Sequence, residues 1–523
     1  MTRVNATETT PLLSEVSPEV SDVERNNPDE PKTYSHAFIA RVVVALLIGI
    51  FTSNADGSLV LATHPVIASE FGKLQDSSWL FISFMLASAA SQTIYGKLSD
   101  IFGRKTILIF CYGLFAVGCA LVGAGQSMWQ VILGRVISGS GGAGMTTMAS
   151  VIITELAPLR EVASWQSYMN VIATVGRSIG GPLGGFLADM IGWRWSFLGQ
   201  SPIFAVSMII AALLLPSTHT EGATLERIKR IDVLGALLLG GSVLAFMVPL
   251  EIGGQKIPWS HPLVPCLAAT GIILTAAFVL VESRWAKEPI FPLRLLQSGD
   301  VTKTYLIAFG QAAAQLGVTQ RVSSTVAGAH LFPAVIGNTV GGIATGLIIK
   351  RTGRYKSLII FSAVSSITSY TLMLLRWHGE TNWLESLYVF PGGLGMGIAQ
   401  SAAFIALQAS IDPKDKAAAS SGIFLSVTLG SVVGMAGTSA AIQGFLRYDI
   451  QQNLSHLGKS QHVIDKVIRK AAESVSYIDD ASGPVRKVLI EGYIEGIEYA
   501  HGLSILFSGI TLITALLLQE RKL

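Results

Sequence analysis

The sequence predicts an all-α polytopic membrane protein, and three observations carry that expectation. Half of the 523 residues are hydrophobic and only 14% are charged, a balance that no ordinary soluble domain of this length tolerates on its surface. The apolar residues gather in runs of about 20, the length a helix needs to cross the hydrocarbon core. Lys and Arg crowd into alternate short loops, as expected where basic loops resist translocation.

The first 36 residues are polar, acidic and Pro-containing, without the basic start and apolar core of a secretory signal peptide. Residues 1–37 are expected to be a disordered cytosolic tail. Within it Glu8-Thr-Thr-Pro-Leu12-Leu13 resembles the acidic dileucine signal by which a sorting adaptor sends membrane proteins to the vacuole or lysosome.

Apolar runs follow at 38–60, 78–97, 106–125, 128–150, 165–190 and 196–216, a six-helix half over 38–216. Runs at 232–252 and 262–283 lie in a linker over 217–303. Runs at 304–319, 326–349, 357–376, 385–408, 418–446 and 501–518 make a second half over 304–523. Fourteen spans with both termini cytosolic place Lys97, Arg104, Lys105, Arg160, Arg230, Lys350, Arg351, Arg354, Lys414 and Lys416 inside. The opposite short loops hold little beyond Lys73, Arg194, Lys256, Arg321 and Arg376. The ninth run is short. Its apolar part, 305–318, carries Gln311 and Gln315 and falls below the roughly 17 residues a span needs, so either a short helix crosses inside the bundle or part of a span is missing.

The longest stretch between spans, 447–500, is expected on the luminal side. Val463, Val467, Ala471 and Val475 recur every four residues, as do Ile464, Ile468 and Ala472, which predicts an amphipathic helix at the membrane surface or against the bundle. Asn453-Leu-Ser455 is a glycosylation sequon facing the lumen in this topology.

Asp56 falls inside the first run, where an ionised carboxylate meets hydrocarbon unless a cavity, a partner or a proton answers it. A structural Asp paired with Arg135 or Arg177 is the plain alternative. Those two arginines, in the fourth and fifth runs, can grip a carboxylate bidentately or tune the acid by proximity. Asn54, Asn170, Asn338, Gln311, Gln315 and Gln400 either line a cavity or hydrogen-bond between helices.

An internal repeat organises the chain. Gly96-Lys-Leu-Ser-Asp100-Ile-Phe-Gly103-Arg104-Lys105 joins the second and third runs, and Gly346-Leu-Ile-Ile-Lys350-Arg-Thr-Gly353-Arg354 joins the tenth and eleventh. A shared spacing at matching places in two halves is the mark of a duplicated transporter. Gly134-Arg135-Val-Ile-Ser-Gly139 and Gly176-Arg177-Ser-Ile-Gly180-Gly181-Pro182-Leu-Gly184-Gly185 add two Gly-rich segments, and Asn54-Ala-Asp56 is followed by Pro65. These segments, with Trp193-Arg-Trp195-Ser-Phe197, resemble the major facilitator superfamily, and within it the fungal fourteen-span drug:proton antiporters. With the dileucine tail, the chain looks most like their vacuolar basic amino acid transporters.

The resemblance implies a major facilitator fold of two six-helix halves plus two extra linking helices. It implies a cytosolic gate at Gly96, Asp100, Gly103, Arg104, Gly353 and Arg354, proton transfer through Arg135, and an antiporter motif at Gly176, Gly180, Gly181, Pro182, Gly184 and Gly185. A carboxylate such as Asp56 that holds either a proton or a cationic group couples the two by mutually exclusive occupancy. The expected function is proton-coupled antiport of basic amino acids (Lys, His, Arg) from cytosol into the vacuole, by a monomer in the bilayer. The alternatives are a plasma-membrane exporter of cationic drugs and a non-transporting nutrient sensor.

Other classes find no support. There is no phosphate-binding Gly-Lys-Ser/Thr loop, and the nine His and three Cys have no metal-ligand or redox spacing. No enzyme, cofactor or metal is expected. The net charge of +3 gives no argument for nucleic acid.

Overall fold

The computed structural model describes residues 35–216, 227, 230–253, 257–286, 288–319, 332–377, 382–458, 460–473, 477–481 and 483–523. The first helix, α1 (His36–Glu70), starts where the Ser35 side chain accepts a hydrogen bond from the Phe38 amide at 3.3 Å, satisfying one free N–H of the first turn. α2 (Trp79–Phe102) turns into α3 (Arg104–Ala124) at Gly103. α4 (Met128–Leu156), α5 (Leu159–Ile191), and the broken pair α6 (Trp193–Leu198) and α7 (Gln200–Leu214) complete the first half. α8 (Val233–Ile252) and α9 (Leu263–Arg284) form the linker. The second half comprises α10 (Gly299–Thr319), α11 (Phe332–Thr352), α12 (Lys356–Arg376), α13 (Phe390–Gln408), α14 (Lys416–His456), α15 (Gln461–Glu473) and α16 (Pro484–Leu517).

Among the described residues, twelve helical segments are long and apolar enough to cross a membrane. α2 and α10, the expected second and ninth spans, meet the length, with 24 and 21 residues, but are more polar. The ninth run is therefore a full-length helix. It begins upstream of the apolar stretch, in a polar turn where Lys303 pairs with Asp300 at 3.2 Å and Arg521 reaches the same carboxylate at 3.1 Å. Hydropathy registers only the apolar part. Gln311 and Gln315 hold the helix to α12, through Ser366 at 2.7 Å and Tyr370 at 3.0 Å.

Most of the expected 447–500 loop is helix as well, because α14 continues for 41 residues and α16 starts at Pro484. α15 lies on these two extensions. Its Ile464, Val467 and Ala471 are buried with Leu446, Ile450, Leu454, Val488 and Leu489, and the Tyr493 hydroxyl donates to the Ala471 carbonyl at 2.6 Å. The amphipathic face thus meets protein.

The repeated glycines have a common physical role in both halves. Gly103 and Gly353, the second glycine of each copy, take φ of 87° and 68°, a left-handed turn that suits residues without a Cβ. The first glycines lie where the halves meet: Gly96 against Ala417 and Ser421 of α14, Gly346 against Ala163, Ser164 and Ser167 of α5. Further contacts close this basic end. Ser164 Oγ donates to the Gly346 carbonyl at 3.1 Å, Lys416 Nζ to the Thr154 carbonyl at 3.1 Å, and Lys350 pairs with Glu161 at 3.2 Å.

Candidate functional site

α1 presents two polar faces. At 3.6 residues per turn Asn54 and Asp56 point about 200° apart, and α5 packs along the strip between them. Phe51, Ala55 and Leu59 meet Gly176, Gly180 and Gly184, where a Cβ on Gly180 would overlap the Ala55 carbonyl. Small residues at this spacing let the two backbones touch. Gly185 faces open space, Gly181 only approaches Ser58, and Pro182 lies within α5.

Asp56 faces the interior of the first half. Its side chain is 0% accessible and that of Arg135 1%, and Arg135 Nη1 lies 2.5 Å from Asp56 Oδ2. Arg135 Nε donates to the Leu80 carbonyl at 3.0 Å, and its guanidinium covers the Phe84 ring at 4.4 Å. The second carboxylate oxygen, Oδ1, accepts from Gln200 Nε2 at 3.2 Å. Gln200 Nε2 also donates to the Ser196 carbonyl at 3.0 Å, and the Cys119 thiol donates to Gln200 Oε1 at 3.8 Å. Val60, Val131 and Phe197, each one turn from a member of this group, belong to one apolar cluster with Leu80. A carboxylate enclosed this way persists only while a partner or a proton answers its charge.

Asn54 faces the other way. Its Oδ1 accepts from Arg177 Nη1 at 3.1 Å, and Arg177 Nη2 donates to Thr174 Oγ1 at 3.3 Å. Ser167, Asn170, Thr174 and Arg177 follow one another at helical spacing along α5. The first two meet Ser401 of α13, at 3.1 and 3.3 Å, so the stripe follows the seam between the halves. Gln400 precedes Ser401 and is half-buried. Asn338 is buried, with its Oδ1 unpartnered.

The expected gate residues separate by half. Arg104 pairs with Asp100 at 2.6 Å and with Glu155 at 2.9 Å. Arg354 is exposed, and Lys350 occupies the repeat position of Asp100, reaching Glu161 across the halves. Glu288, after α9, binds Lys97 of α2 at 2.9 Å and Arg230 at 2.6 Å. These contacts, the Arg230 hydrogen bond foremost, hold its carboxyl below the usual range. Asn453 lies within α14, donating to Asp449 Oδ1 at 2.7 Å. Glu8, Leu12 and Leu13 lie outside the described residues.

The structure therefore brings Asp56 and Arg135 together, and sets Arg177, Asn54 and Asn170 on another face. Sequence reasoning missed Gln200, Ser401 and Glu288. A polar amide opening an otherwise apolar run was the available signal for Gln200. Among the described residues no cluster of His, Cys, Asp or Glu is arranged to hold a metal ion.

Comparison with known proteins agrees with this architecture. The family model described as Major Facilitator Superfamily matches residues 46–438. The chain is 29% identical to the vacuolar membrane amino acid uptake transporter fnx2 of Schizosaccharomyces pombe, over 93% of this chain and 85% of that one. It is 31% identical to the multidrug resistance protein fnx1 of the same yeast, over 88% and 89%. It is 26% identical to vacuolar basic amino acid transporter 2 of Saccharomyces cerevisiae, over 84% and 97%. Among solved structures, the human organic anion transporter MFSD10 superposes with a TM-score of 0.57 at 14% identity, covering 92% of this chain and 99% of that one. The proton:xylose symporter XylE gives 0.57 at 11% identity, covering 94% and 98%.

Proposed function

The chain belongs to the Major Facilitator Superfamily, and from that premise we propose that it is a fourteen-span proton-coupled antiporter that moves basic amino acids from the cytosol into the vacuole. The observation that carries the coupling is the sealed pair of Asp56 and Arg135. It ties α1 to α4 while the acid is ionised. A proton on Asp56 removes the charge that holds Arg135, and α1 is then free to move against its neighbours. Luminal acidity supplies the proton, and return of the halves delivers it to the cytosol.

The basic end, taken as cytosolic, is closed by the Ser164–Gly346 and Lys350–Glu161 contacts. The described conformation is thus closed at the end taken as cytosolic, which supports access from the lumen in this state. The named functions of fnx2 and of the Saccharomyces vacuolar transporter support amino acids as cargo. Similarity to fnx1 favours a second reading, a plasma-membrane multidrug:proton exporter with the same coupling.

The test is lysine uptake by proteoliposomes with an acidic interior. Uptake should depend on the imposed pH gradient and collapse in Asp56→Asn. Uptake indifferent to an uncoupler would end the antiport reading, and transport of cationic drugs without lysine would select the second.

A further inference from the structure

We infer that Arg177, with Asn54 and Thr174, anchors the carboxylate of the transported molecule, at a site separate from the proton switch at Asp56; this deepens the transport reading above and rests on it. Arg177 lies in the middle of the 33-residue α5, about 27 Å of helix from its start. A guanidinium at that depth cannot shed its proton and must find an opposite charge or water. Its contacts in the structure are two neutral oxygens, Asn54 Oδ1 and Thr174 Oγ1. Among the described residues no carboxylate comes within ion-pair distance of it.

Two further observations say where the missing charge comes from. The Arg177 side chain keeps an exposed surface, while Asn54, Thr174 and the α1 backbone packed on Gly176 and Gly180 flank it. That combination describes the wall of a cleft, and the stripe it continues, through Ser167 and Asn170, is the seam between the halves. Three of its five N–H donors remain uncommitted, and they form the planar fork that grips a carboxylate bidentately. The contacts to Asn54 and Thr174 hold that fork in place.

Asp56 cannot share this task in the described state, because it is enclosed and both of its oxygens are taken. Cargo and proton therefore occupy opposite faces of α1, which carries Asn54 toward one and Asp56 toward the other. Coupling passes through movement of that helix, rather than through competition for one carboxylate. The anchor also sorts cargo: an amino acid uses it, whereas a cation without a carboxylate does not.

The experiment is equilibrium binding to purified full-length protein, with lysine and cadaverine, its decarboxylated analogue, as probes. Wild type should bind lysine about tenfold or more tightly than cadaverine. Arg177→Gln should lose that discrimination, and Arg177→Lys should keep part of it. The proposal is overturned if wild type binds both probes alike, which includes the case of an arginine answered only by lipid headgroups. It is also overturned if it binds neither, or if Arg177→Gln keeps the wild-type preference. The comparison of probes on wild type needs no variant to fold. Preserved discrimination without gradient-driven flux would leave this site standing and remove antiport; flux without discrimination would remove the site alone.

Discussion

Gln200 donates from Nε2 to Asp56 Oδ1 at 3.2 Å, on the carboxylate oxygen that Arg135 does not use. The amide cannot turn freely, since the Ser196 carbonyl takes its second N–H and the Cys119 thiol faces its oxygen. Gln200→Leu should therefore leave a buried charge short of one donor and lower stability by about 1–2 kcal/mol. Thermal melting in detergent checks this. A Leu variant that melts with the wild type would remove Gln200 from the site.

The two members of the buried pair should not be equivalent when removed singly. Loss of one partner of such a pair costs about 3–5 kcal/mol when the other stays charged. An abandoned carboxylate can take up a proton, but an abandoned guanidinium cannot discard one. Asp56→Asn should therefore melt lower than Arg135→Gln, and the double variant should recover part of the loss. The reverse order of melting temperatures would mean that the pair does not dominate this region.

The glycines of α5 should divide by face. Gly180 has the Ala55 backbone where its Cβ would go, while Gly185 has nothing within 4 Å. Gly180→Ala should separate α1 from α5 and cost about 1–3 kcal/mol. Gly185→Ala should be neutral or mildly stabilising, since Ala is the better helix former. Melting and lysine flux of the two variants decide it, and equal tolerance would contradict the packing role.

What the sequence made legible was whatever had a local signature. Gly103 and Gly353 sit at left-handed turns and Gly96 and Gly346 at close helix contacts, so the repeat spacing reported real geometry. The linker helices and most of the apolar runs on either side of them followed from hydropathy, whereas α2 and α10 are more polar than the rest. The choice of Arg135 over Arg177 as partner for Asp56 was not legible. Both arginines lie in apolar helices, and only the rotation of α1 against α4 and α5 decides which one the acid meets. Gln200 and Ser401 were hidden for the same reason, since each acts through a contact to another helix. The polar first turn of α10 escaped because Asp300 is answered by Lys303 and by Arg521, more than 200 residues away along the chain.

The linker clamp should respond to pH in a defined direction. Glu288 is held below the usual carboxylate range by Arg230 first and by Lys97. A depressed acid contributes stability that is complete above its unfolded value and is lost as the pH falls through its folded value. Hydrogen exchange at the basic ends of α8 and α9, taken relative to the intrinsic amide rate at each pH, should thus be constant from neutrality down to the ordinary carboxylate range and rise below it. Glu288→Gln should show the raised exchange at neutral pH. Glu288, Arg230 and Lys97 are all partly exposed, so the effect on global stability should stay under about 1 kcal/mol.

The seam itself gives the most direct test of movement. Ser167 and Ser401 stand with their hydroxyl oxygens 3.1 Å apart, one on each half, with Asn170 bonded to the same Ser401 oxygen at 3.3 Å. If transport requires this end of the bundle to part, joining the two positions must stop it. The pair Ser167→Cys/Ser401→Cys should be captured by a short thiol crosslinker in the resting protein, and lysine flux should fall to background. Reduction of a cleavable crosslinker should restore flux, while either single variant should be insensitive to the reagent. Full activity after complete crosslinking would show that this contact does not open during the cycle, and the halves would then have to exchange cargo by some movement other than separation at the basic end.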